Sequence, residues 1–187
     1  MLPLINRILP GRKSSSSIPF DMFDHERTEK ELKAAMKLER LYHKGQDKAW
    51  DGRTVLNDLL EKHGGINLPE HQVEPIRRLF AVILWGELAA WKISARLANL
   101  LEPMEAKMAA TAQAHDEARH FYVMKDYLAH VGDVPKSLPT NANLVITRVL
   151  ETNNLVKMLL GMQLIIEPLA MTLFHLVRKA KVEPVLQ

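Results

Sequence analysis

The chain of 187 residues contains no cysteine. That absence excludes disulfides, thiolate nucleophiles, iron–sulfur clusters and cysteine zinc sites, so any metal must be held by His, Asp, Glu and water. Charge of one sign is also nearly absent, with 25 Lys and Arg against 22 Asp and Glu. Arg7, Arg12 and Lys13 stand in the first seventeen residues without an acid and account for the excess. The remaining body is neutral, which removes an electrostatic argument for nucleic acid. Runs of alternating β-branched residues are missing as well, so no strands are expected. With 47% hydrophobic residues the chain has enough apolar material for one globular core.

What is there is helical periodicity. Residues 1–20 read as a flexible basic tail, because Pro3, Asn6, Arg7 and Pro10 interrupt the apolar run a signal peptide would need. Residues 21–66 read as short amino-terminal helices: a charged one over Glu26–Lys44, and a second over Thr54–His63 ended by Gly64-Gly65. A long helix is predicted from Leu68-Pro69-Glu70 to about Leu101, and another from Pro103 to about Val131, each with proline at its start where a missing N–H costs nothing. Gly132–Pro135 stops the second, and Lys136–Asn141 reads as loop. A last helical region, broken near Glu151–Asn154, runs to Lys181. The expectation for residues 67–187 is an all-α antiparallel bundle. Asn154–Val177 is apolar enough to raise a membrane question, but Lys157, Gln163, Glu167 and His175 interrupt it, and a buried bundle helix is the expectation.

The informative residues are acids on faces that ought to be apolar. Glu87 lies amid the apolar stretch Leu79–Trp91, about 140° round the helix from Lys92 on the polar stripe, and so points inward. Glu117 and His120 stand at i, i+3 on a face shared with Ala106, Ala110, Gln113, Met124, Leu128 and Val131, with His115, Arg119 and Asp126 on the other side. Glu167 sits in Gln163-Leu164-Ile165-Ile166-Glu167-Pro168, where Pro168 should bend the helix. A buried carboxylate must find a cation, share a proton or bind a metal. Glu-x-x-His offers one metal both a bridging carboxylate and a neutral imidazole. A polar core with its own internal partners is the plainer reading of the same residues. Trp85, Trp91, Phe121, Tyr122 and Met124 lie near these positions in sequence and are expected in core packing rather than in a pocket.

With Glu87, then Asp116-Glu117-Ala118-Arg119-His120, then Glu167, at intervals of about 30 and 50 residues, the sequence resembles the ferritin-like di-iron carboxylate superfamily. That superfamily includes the ribonucleotide reductase small subunit and bacterial multicomponent aromatic hydroxylases. The resemblance covers residues 69–187. It implies a non-haem di-iron oxidoreductase in which Glu87, Glu117, His120 and Glu167 bind two iron ions, or manganese. Asp116, Arg119 and Gln113 would orient these ligands, Asp116 by holding the N–H of a metal-binding histidine on another helix. The partners implied are O2, a small-molecule substrate and an electron donor that the sequence does not identify; no single residue is assigned as catalytic. A cytoplasmic location, no nucleic acid, no membrane and self-association as a homodimer complete the expectation. A fourth core helix with its own Glu-x-x-His is missing from the pattern, and His175 stands about 80° round the helix from Glu167 and does not replace it. The bundle is therefore expected to be truncated. A metal-free helical interaction module and a ferritin-like iron-binding protein are the competing expectations.

Overall fold

The computed structural model describes residues 24–187; the expected basic tail, 1–20, lies outside them. Among the described residues every regular element is helical and there is no strand. Two short helices open the described chain, α1 (His25–Ala34) and α2 (Met36–Asp47), where one continuous helix was expected; the break falls at Ala35. Asp24 caps α1 by accepting from the Arg27 amide at 3.0 Å. Next comes α3 (Gly52–His63), capped by Asp51, which accepts from the Thr54 amide at 2.7 Å. Gly64, at φ 71°, terminates α3 in the left-handed conformation that glycine adopts without a Cβ penalty.

Two long helices then form an antiparallel hairpin: α4 (Glu70–Leu100) and α5 (Met104–Val131). Their pairing is the most extensive in the molecule, and α2 lies along the outside of α5. After the loop comes α6 (Thr140–Glu151), which packs on α4. The final helical stretch has three parts: α7 (Leu155–Leu160), a π turn (Gly161–Ile166) and α8 (Glu167–Ala180). The π turn lies just before Pro168, where the sequence predicts a bend. Pro168 has no N–H to offer the Leu164 carbonyl, so the preceding turn widens and the Glu167 amide reaches back to the Met162 carbonyl, five residues away. A short 3₁₀ turn, Pro184–Leu186, packs against α3.

Two apolar clusters hold these helices. One joins Leu56, Phe80, Leu84, Tyr127, Leu128 and Val177; the other joins Ala90, Ile93, Leu97, Val149, Met158 and Met162. Glu87 on α4, Glu117 on α5 and Glu167 on the last helix each fall in the chain between residues of the first cluster and residues of the second. The acids occupy a polar waist.

The expectation that the last helix would be buried does not hold. Leu160, Leu164, Ile165, Leu169, Met171 and Leu176 are all exposed, and most of Leu155–Ala180 lies open. One flank meets α4, α5 and α6, and no described helix covers the other. By length and composition alone this helix could cross a membrane.

Candidate metal centre

The antiparallel α4–α5 hairpin brings Glu87 level with Glu117 and His120. Both carboxylates are 6% exposed, and their oxygens and a His120 ring nitrogen all lie within 4.8 Å of one another. Nδ1 of His120 is 3.2 Å from Glu117 Oε2 and 3.4 Å from Glu87 Oε2. Glu167, on the last helix, is half-buried rather than buried, because its helix is covered on one flank only. It reaches the cluster through Gln113: the Gln113 amide donates to Glu167 Oε1 at 2.8 Å and to Glu117 Oε1 at 3.3 Å. The Gln113 carbonyl in turn accepts from the Gln163 amide at 3.0 Å.

These acids perturb one another. Burial lifts the Glu117 carboxyl above its ordinary range, in part against the hydrogen bond from His120. Burial and then the Glu117 charge raise Glu167 to about 7. For His120, burial opposes the charged form, but the hydrogen bonds and charges of Glu117 and Glu87 outweigh it and carry the imidazole to about 10. At neutral pH a protonated imidazole therefore sits between two carboxylates and does the work of a cation. A divalent metal taking these donors would have to displace that proton.

The donor set fits one hard or borderline divalent ion: two carboxylates and one imidazole, anchored on adjacent helices. For a second ion, Glu117 has a second oxygen and Glu167 stands beyond Gln113, but no second histidine is beside them among the described residues. Among the described residues Asp116 likewise holds no histidine of another helix. Its carboxylate pairs with Arg119. Arg119, expected on the outer face, has a side chain only 9% exposed, lying under the Trp50 ring with its guanidinium carbon 4.9 Å from the ring centre. The Trp50 ring centre is also 6.4 Å from that of His120. Nothing in the local sequence around Trp50 signals either contact, since α2 and α3 bring it there from 69 residues away.

A cavity of 350 Å³ opens from the acids toward α6 and the last helix. Glu87, Glu117 and Glu167 form its polar end, and Ile83, Ala90, Val145, Met162, Ile166 and Leu173 supply aliphatic walls. None of the aromatic residues near the acids in sequence lines it: Trp85 donates its indole N–H to the Pro135 carbonyl, and Trp91 packs on Phe121. His175 is exposed on α8. Comparison with known proteins finds no matching family model, no matching curated protein and no matching solved structure.

Proposed function

We propose that this chain is a ferritin-like non-haem di-iron oxidoreductase, holding iron, or manganese, on Glu87, Glu117, His120 and Glu167. One observation carries the reading: two buried carboxylates and an imidazole from adjacent helices meet at the end of an aliphatic cavity, where an uncompensated acid would be costly. Metal bound there would supply the power to reduce O2 and oxidise a small substrate. The chain's own residues supply the rest. Glu87 and His120 would hold one ion from adjacent helices, while the two oxygens of Glu117 face different neighbours, His120 on one side and Gln113 on the other. Gln113 fixes the Glu167 carboxyl beside them, and the aliphatic walls offer an apolar body a surface next to the acids. Electrons would come from a donor in the cytoplasm.

Anaerobic titration of the full chain with Fe(II), followed by desalting and metal analysis, tests this. Iron stoichiometric with the chain, lost in Glu117→Ala, is the expected result. A wild-type protein that retains no iron, together with a Glu117→Ala variant of unchanged melting behaviour and metal content, would sink it. The exposed apolar flank of the last helix favours a second reading, a metal-free helical module that associates through that flank. Under this reading mass in solution rises with concentration and the acids bind nothing.

A further inference from the structure

A second cavity, of 410 Å³ and different character, is lined by another set of α4 and α6 residues. Its rim carries the exposed Lys92 of α4, Lys136 of the loop before α6 and Asn143 of α6; Thr147 of α6 also lines it, and no Asp or Glu does. Neither lysine makes an ion pair or hydrogen bond with any described residue. Lys92 and Lys136 are exposed and line one cavity without a counter-charge in its lining, so an anion seated there meets two cations. Beneath them the floor is apolar, built from Trp85, Leu88 and Leu150. The bond from the Trp85 indole N–H to the Pro135 carbonyl, 3.1 Å, ties the loop at the residue before Lys136 and so preorganises that rim.

We infer that this cavity binds a small organic anion, a carboxylate or phosphate joined to an apolar body. Lys92 and Lys136 take the charged head, and the Trp85–Leu88–Leu150 floor takes the body. The inference is independent of any metal at Glu87, Glu117 and His120, because none of these residues lines this cavity and only Ile146 lines both.

Phenyl phosphate is a suitable probe for the metal-free full chain, with inorganic phosphate and phenol as the two halves of the molecule. Phenyl phosphate should bind at least about tenfold more tightly than either half, since charge-assisted contacts and apolar burial each contribute that order. In the wild-type protein it should shift the Trp85 indole N–H resonance. Replacing both lysines, Lys92→Met with Lys136→Met, should weaken binding by about tenfold or more, whereas Lys92→Arg with Lys136→Arg should retain it. The proposal is overturned if phenyl phosphate leaves the Trp85 resonance unmoved at ~10 mM, a concentration well above the dissociation constants typical of specific small ligands. It is equally overturned if inorganic phosphate binds as tightly as phenyl phosphate, or if the double methionine variant folds and binds unchanged. The resonance shift needs no variant, so a misfolded double substitution does not shield the proposal.

Discussion

The α4–α5 hairpin and the last helix are built from similar material and end in different surroundings. In the hairpin, Phe80, Leu84, Ile93, Leu97 and Leu128 are at most 2% exposed. In the last helix Leu164 is 66% and Met171 67% exposed, although the stretch around them is at least as apolar. Burial is thus decided by whether a neighbour exists, not by how apolar a face is. The candidate centre straddles the two regions. Glu87, Glu117 and His120 ride on the closely packed hairpin, which holds them preformed, whereas Glu167 rides on a helix supported on one flank and joined to the others through Gln113. A rigid trio and an adjustable fourth acid is the arrangement this difference creates.

The sharpest way to break that contrast is to truncate one leucine in each region. Leu128→Ala removes a fully buried side chain and should cost about 3 kcal/mol, within the range of about 2–5 for such deletions, whereas Leu164→Ala should stay within about 0.5 kcal/mol. Chemical denaturation measures both. Equal costs would mean that the last helix is covered in solution.

Two glycines sharpen it next. A Cβ on Gly161 would lie 2.7 Å from Val149 Cγ2, so Gly161→Ala should destabilise by about 1–3 kcal/mol by forcing α6 away from the π turn. At Gly86, midway along α4 and one residue before Glu87, an added Cβ meets nothing within 4 Å. Gly86→Ala should therefore stabilise by up to about 1 kcal/mol, the usual gain for alanine over glycine in a helix interior. The same melting experiment reads both, and a stabilising Gly161→Ala would contradict the close approach of α6.

The smallest effect belongs to the adjustable acid. The carboxyl of Glu167 is raised from 4.5 to about 7, so the folded chain binds more protons than the unfolded chain between those values. Its contribution to stability is complete below pH 4.5 and is lost as pH rises toward and through 7. Unfolding of wild type and Glu167→Gln compared across this window should give the variant the flatter profile. Identical profiles would separate Glu167 from the acids of the candidate centre.

Much of this was legible along the chain. Proline at the starts of α4 and α5, Gly64 after α3 and the period of apolar residues all act within a turn or two, so local pattern reports them. The inward direction of Glu87 and the shared face of Glu117 and His120 were readable for the same reason. The route by which Glu167 joins them was not. Gln113 and Glu167 are 54 residues apart, and their bond exists only because the last helix packs beside α5 at that level. Trp50 over Arg119 depends on how α2 and α3 wrap α5, and the paired lysines of the second cavity depend on a loop pinned by Trp85.

By itself the sequence determined which stretches are helical, which faces are apolar, and that any metal must be met by oxygen and imidazole donors. Those properties follow from short-range sterics, periodicity and side-chain chemistry. The tertiary structure alone decided that three of the acids and a histidine share one waist between two apolar clusters, and that the last helix keeps an open flank. Contacts between distant residues are set by which helices pack together, and no local pattern carries that information.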